Sequence, residues 1–283
     1  MKNKKWLYPG VIALSLAILF GYGFIDRIRT DSQAPEITIS TGLLQVSAKD
    51  PDSALLQGVS AKDSVDGDVT DSLVVESIRL VDGSGKVSVC YAAFDAVGNV
   101  AKAQREVQYT DYQSPRFSLR SPLVYAQNSS FDVLDSIQAT DMQEGDISHR
   151  IRTTPLDKVS VADLGTHDVE FRVTNSLGET VRLVLPVEIY PTGIYQARLN
   201  LTHYLIYVEQ GASFNVTDYL REFIIDRDAI SLKDGVPSDC SLKTSGTVDT
   251  STPGVYSVAY RMTYGGEGHS VTGYSKLIVV VEG

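Results

Sequence analysis

The chain has 283 residues, a formal net charge of −10 and 43% apolar residues. That apolar content supports packed cores rather than long disordered tracts, and the acidic balance excludes nucleic acid as a partner held by bulk charge. Two cysteines, Cys90 and Cys240, are too few for a disulfide framework, and both are expected to be free thiols.

At the N-terminus, residues 6–25 form a run of twenty residues without a charge, preceded by Lys2, Lys4 and Lys5. A run of this length suits a bilayer-spanning helix, and the leading lysines leave the N-terminus cytoplasmic. The expectation is an uncleaved single-pass anchor within residues 1–30, with the C-terminal part extracellular. A cleaved signal peptide is the alternative, against which stands the lack of an A-x-A-like site after the run.

Beyond the anchor the chain repeats itself. DSQAPEI, Asp31 to Ile37, returns 80 positions later as DYQSPRF, Asp111 to Phe117. Proline at such an entrance sets the preceding residue extended. AKDSVDGDVTDSL, Ala61 to Leu73, corresponds to ATDMQEGDISHRI, Ala139 to Ile151, and CYAAFDAVGNV, Cys90 to Val100, to EFRVTNSLGET, Glu170 to Thr180. A weaker third copy follows, in which ASFNVTDYL, Ala212 to Leu220, matches SSFDVLDSI, and PGVYSVAY, Pro253 to Tyr260, matches LGTHDVEF. Fixed-period self-similarity of this kind marks tandem modules.

Inside each copy the apolar period is two. Val87, Val89 and Tyr91 face one way and Lys86, Ser88 and Cys90 the other; Val169, Phe171 and Val173 alternate with Glu170 and Arg172. These are half-buried antiparallel strands, joined by turns at Asp82–Gly85 and Ser176–Glu179. The fold class is all-β, with three β-sandwich domains at 31–111, 112–191 and 192–283.

The entrance Ala34-Pro35-Glu36-Ile37, the segment Ala61 to Thr70 and the turn Tyr91 to Asn99 together resemble tandem bacterial Ig-like domains of the hyalin-repeat-like kind. Their motifs are APxI, A-x-D-x-x-D-G-D-[IV]-T and Y-x-A-x-D-x-x-G-N. The resemblance covers roughly residues 34–190 well and 192–283 poorly. It implies a cell-surface module for display, adhesion or spacing, without catalysis.

The acidic turns are the chemical candidates. Asp63, Asp66 and Asp68 surround a glycine turn, and Asp141, Glu144 and Asp146 repeat the pattern, so each trio could offer oxygen ligands to calcium. The competing reading is local: Asp-Gly makes the turn and flanking carboxylates accept backbone N–H groups. Gly83-Ser84-Gly85-Lys86 lacks the spacing of a phosphate loop, and Gly268-His269-Ser270 lacks the closing glycine and helix of a nucleophile elbow. His149, His167, His203 and His269 are scattered without metal-site spacing.

The third copy gains tyrosines and inserts residues 221–246 between its early and closing strands, which reads as a functional surface loop. Tyr195, Tyr204 and Tyr207 are therefore the candidate partner-binding residues, for a protein or a cell-wall polymer. The expected function is a membrane-anchored adhesion, interaction or spacer protein. A non-catalytic stalk or accessory subunit of a polysaccharide-processing enzyme is the alternative.

Overall fold

The computed structural model describes residues 14–21, 31–154, 162–266 and 269–283. Among these, residues 14–21 are helical, and no helix is long and apolar enough to cross a membrane. The expected membrane-anchored localisation is corrected accordingly, because no described helix supports a transmembrane anchor. The remainder of residues 6–25 lies outside the described residues.

The rest of the fold is all-β and divides into two compact units, Met1–Gln113 and Ser114–Gly283. In the first, β1 (Glu36–Ile39) pairs antiparallel with β3 (Val59–Asp63), which pairs with β4 (Gly67–Asp68). The second sheet runs β2 (Leu44–Val46), β7 (Val100–Tyr109), β6 (Lys86–Phe94), β5 (Val74–Leu80), with β2 parallel to β7. One leading segment thus serves both sheets. The alternation read from the sequence sets the core: Val87, Val89, Tyr91 and Val107 are fully buried, facing Val59, Ala61 and Leu73.

The second unit uses the same pairing scheme twice more. β8 (Arg116–Leu119) pairs with β10 (Ile137–Asp141), and β9 (Val124–Ala126) runs parallel to β14 (Thr180–Tyr190). β11 (Gly145–Asp146), β12 (Arg152–Thr154) and β13 (Gly165–Thr174) complete these two sheets. Further along, β15 (Ala197–Leu201) pairs with β17 (Leu220–Ile225), and β16 (Leu205–Glu209) runs parallel to β21 (His269–Glu282).

This last region departs from two separate sheets. β21 pairs with β15 through its first half and with β16 through its second, so β18 (Asp228–Ser231), β17, β15, β21, β20 (Gly254–Gly266) and β19 (Cys240–Ser245) form one sheet, with β16 branching from β21. Gly273 permits the join. A Cβ there would lie 2.6 Å from Phe223 Cε2 and 2.9 Å from the Ala197 carbonyl oxygen. The insertion expected as a surface loop is corrected too: residues 221–246 supply most of β17 and all of β18 and β19, because Phe223 and Leu232 are buried and draw the segment into the sheet.

Two apolar cores occupy the second unit. One is built around Phe117, Phe171, Leu185 and Ile189, the other around Phe223, Tyr260, Met262 and Leu277. Leu205 and Ile278, from the later strands, belong to the first of these cores. The expected boundary at 191/192 is therefore crossed by apolar packing, and a fragment cut there exposes both side chains.

A buried tyrosine anchors the single-turn segment in the first and third copies. Tyr91 Oη donates to the Leu55 carbonyl at 2.8 Å, and Tyr260 Oη donates to the Val216 carbonyl at 2.8 Å. The middle copy has Phe171 at this place and turns Val133–Ser136 instead on Asp132, whose carboxylate accepts from Leu134 N at 2.9 Å. Burial, which disfavours the phenolate, raises the pKa of Tyr91 despite the adjacent Arg105. Tyr91→Phe is expected to cost about 1–2 kcal/mol, because Arg105 Nη2 then loses one of its acceptors. Urea unfolding checks this; an unchanged midpoint would contradict the anchoring role.

Candidate functional site

The acidic turns have a shared architecture that explains each position of the motif. Asp63 Oδ1 accepts from Val65 N at 2.7 Å and Asp66 N at 2.9 Å, and Asp141 Oδ1 accepts from Gln143 N at 2.9 Å and Glu144 N at 3.1 Å. Gly67 and Gly145 follow with φ of 81° and 73°, values that favour glycine. Asp68 Oδ1 then accepts from Thr70 N at 3.0 Å, as Asp146 Oδ1 does from Ser148 N at 2.9 Å. The closing hydroxyl is used as well: Thr70 Oγ1 accepts from Ala61 N at 3.1 Å and Ser148 Oγ from Ala139 N at 3.0 Å.

The middle carboxylate of each trio ties this turn to the next motif. Asp66 Oδ2 accepts from Ala96 N at 2.8 Å, and Glu144 Oε1 from Ser176 N at 2.6 Å. Asp95 Oδ1 in turn accepts from Val97 N, Gly98 N and Asn99 N, while Asn99 Nδ2 donates to the Asp31 and Gln33 carbonyls. Entrance, acidic turn and glycine turn are thereby one hydrogen-bonded knot. Six backbone N–H groups of the first copy find carboxylate partners in it at Asp63, Asp66 and Asp95.

The structure adds a residue that the sequence reading missed. Asp31, Asp63 and Asp66 each bring a carboxylate oxygen within 4.8 Å of the others, whereas Asp68 caps its own turn outside that group. Asp31 comes from the entrance, about thirty positions upstream, so only the repeat's own D-x-Q-x-P signal pointed to it. The second copy neutralises the corresponding place: Glu144 pairs with Arg150, and Asn175 stands where Asp95 does, donating to Asp141 Oδ2 at 3.0 Å.

These carboxylates make the fold acid-sensitive. For Asp63 the backbone N–H groups of Asp66 and Val65 hold the pKa below the ordinary 3.8, and for Asp68 the Thr70 hydroxyl and N–H do so. Burial of Asp95 works against its charge, but Asn99, Gly98 and Val97 more than offset it. Groups depressed in the folded state contribute stability that is complete above 3.8 and is lost as pH falls through their folded values. The melting temperature is thus expected to hold from neutrality to about pH 5 and to drop steeply below pH 4. A flat profile down to pH 2.5 would contradict this account.

A different site lies within the second unit. A cleft of about 630 Å³ opens between residues 119–124 and the β15–β17 region, with Tyr190, Tyr195, Tyr204 and Tyr274 on its walls and Arg120, Arg198 and Arg221 among its lining. Tyr195 stacks on Tyr274 with centroids 5.0 Å apart and meets Tyr190 edge-on at 4.8 Å. Arg261 Nη2 donates to Tyr195 Oη at 3.3 Å from behind. Burial and the Glu188 carboxylate, which accepts the hydroxyl proton at 2.7 Å, push the Tyr274 pKa well up, so this phenol stays neutral.

The three tyrosines singled out from sequence separate here. Tyr195 and Tyr204 line the cleft; Tyr207 does not. Its ring lies under the Arg116 guanidinium at 4.7 Å, its hydroxyl accepts from Phe117 N at 3.1 Å, and Arg116 continues to Glu282 with two 2.9 Å contacts. Tyr207 is a joint between early and late strands of the unit. Cys90 and Cys240 are free thiols, the former donating to Glu76 Oε2 at 3.2 Å.

No protein-family model matches the chain. It is 27% identical over 218 residues to the pesticidal crystal protein Cry22Aa of Bacillus thuringiensis, and 29% identical over 122 residues to an uncharacterized 81.3 kDa protein of Acholeplasma phage L2. These alignments cover 73% and 43% of this chain but only 27% and 15% of the relatives. Among solved structures, cadherin domains 1–5 of protocadherin gamma B2 align over 89% of this chain and 60% of theirs, at 10% identity and a TM-score of 0.22. A carbohydrate-binding-module structure from Clostridium perfringens ZmpB, solved with GlcNAc, aligns over 87% of this chain and 41% of its own, at 16% identity and a TM-score of 0.22. Scores of this size carry no argument about function, and the hyalin-repeat-like likeness rests on its three motifs alone.

Proposed function

We propose that this chain is a non-catalytic interaction protein whose contact surface is the tyrosine-walled cleft of residues 114–283. In this reading it is a series of Ig-like modules, 31–111, 112–191 and 192–283, of which the first spaces and the last two bind. The partner is a cell-wall polymer or a protein carrying similar polar groups. The observation that supports the reading is the cleft itself, where Tyr195 and Tyr204, chosen from sequence for their density in the divergent copy, share one cavity with residues from the preceding copy.

The test uses the full chain, immobilised and challenged with purified cell-wall polymers and with a cell-surface protein extract. Tyr195→Ala combined with Gln196→Ala is expected to reduce retention at least tenfold while lowering the melting temperature by only a few degrees, the lost Tyr190 and Tyr274 ring contacts being worth about 1 kcal/mol each. Lys49→Glu, an exposed change in the first unit, should leave retention intact. Equal retention by the cleft variant would remove the reading.

A further inference from the structure

We infer that the cleft recognises an anionic saccharide chain, one bearing carboxylate or phosphate groups, through Arg120, Arg198 and Arg221. This deepens the interaction reading above and rests on it. The chain as a whole is acidic, with a formal net charge of −10, yet the cleft lining holds three arginines and no Asp or Glu. Like charges gathered in one concavity repel, and the arrangement is relieved by a bound anion.

The arginines are only weakly engaged elsewhere: after the Ser148 hydroxyl and N–H, nearby Arg120 helps hold the Asp146 carboxyl below its ordinary pKa. Among the described residues, the side chains of Arg120 and Arg198 form no ion pair, and Arg221 reaches only its chain neighbour Glu222, at 3.8 Å through Nε. All three are exposed. Their guanidinium edges remain available, and a planar fork of N–H donors matches a carboxylate or phosphate two bonds at a time. Strand geometry spreads them: Arg120 follows β8, Arg198 lies in β15, and Arg221 lies on the adjacent β17. Charges spread this way suit repeating anionic groups better than one small ion.

The remaining walls favour sugar over an acidic peptide. Tyr195, stacked on Tyr274 and with the Arg261 guanidinium 5.9 Å from its ring centroid, is a rigid aromatic part of the lining, and Gln196, Asn200, Ser121 and Thr202, whose donors go to Gly193, Glu222, Ser136 and Tyr219, keep acceptor capacity on their oxygens for ring hydroxyls. Leu119, Leu199 and Leu201 contribute to the lining but are buried, which leaves little aliphatic surface for peptide side chains. A second hollow of about 370 Å³ shares Thr202 and Arg221 with the cleft and adds Lys233 together with Glu222, the carboxylate beside Arg221.

The full chain is to be titrated calorimetrically with a polyuronate, a glycerol-phosphate polymer, neutral dextran and poly-glutamate at two salt concentrations. Binding to the polyuronate or the phosphate polymer, weakened by salt, is expected, with dextran and poly-glutamate at least tenfold weaker. Arg120→Gln, Arg198→Gln and Arg221→Gln should each weaken binding about tenfold without lowering the melting temperature. Preference for poly-glutamate over both saccharides would overturn the inference in favour of an acidic protein. Dextran binding that is lost in Tyr195→Ala but kept in the arginine variants would overturn the anionic assignment while leaving the interaction reading intact. No binding to any polymer, together with unchanged partner retention by the Tyr195→Ala, Gln196→Ala variant, would overturn both.

Discussion

Phe171→Ala is expected to cost about 3–5 kcal/mol. Phe171 is fully buried at the centre of β13, opposite Thr153 on one side and Leu183 on the other, within the core that also holds Phe117, Leu185 and Ile189. The transfer free energy of the ring is lost, and so is the packing of every neighbour that borders the hole. Flanking strands cannot close that gap, because their hydrogen-bonded ladder fixes their spacing at about 4.8 Å. Denaturant unfolding followed by circular dichroism measures the loss, and a cost below about 1 kcal/mol would show that the core collapses around the cavity after all.

The second large effect is expected at Glu188. Its carboxylate accepts from Lys276 Nζ at 3.0 Å and from Tyr274 Oη at 2.7 Å, and Lys276 is only 6% exposed. Glu188→Ala leaves a buried ammonium with no counter-charge and a phenol with no acceptor, a change that costs roughly 3 kcal/mol or more. Joint replacement by Glu188→Leu and Lys276→Met should restore most of the loss, since the penalty arises from the orphaned charge rather than from the missing pair. Ultraviolet titration gives a separate check: without Glu188 the Tyr274 phenol should ionise at lower pH, because one of the causes raising its pKa is gone. Failure of the double variant to recover stability would mean that the carboxylate packs in a way the aliphatic pair cannot reproduce.

Local chemistry was legible in the sequence, and non-local chemistry was not. Alternation in Val87, Val89 and Tyr91 placed the strand faces, and the Asp-Gly turns announced themselves, because period two and positive φ are properties of adjacent residues. The leading segment's division between two sheets left no such mark, since nothing in Leu44–Val46 or Val124–Ala126 distinguishes a parallel partner from an antiparallel one. Residues 221–246 read as a loop through Asp226, Asp228, Gly235 and Pro237, although Phe223 and Leu232 carry the segment inside.

The cleft was half legible for the same reason. Tyrosine density pointed to Tyr195 and Tyr204, but the arginines come from stretches some twenty to a hundred positions away from one another. Nothing local says that Arg198 has no carboxylate partner among the described residues, whereas Arg116, equally unremarkable in sequence, is held by Glu282. Asp31 joined Asp63 and Asp66 by the same kind of long closure.

The parallel edge contacts also set how the chain answers traction. Strands that run side by side in the same direction slide along each other when one is pulled from its start and the other from its end, so their hydrogen bonds share the load and fail together. β2 meets β7 over three residues, β9 meets β14 over three, and β16 meets β21 over five. Stretched between its two ends, the chain therefore yields first at one of the short contacts and last at the long one. Each early release pays out slack and lowers the tension, so the bonds around β16 and β21, beside the tyrosine-walled cleft, are the last to break.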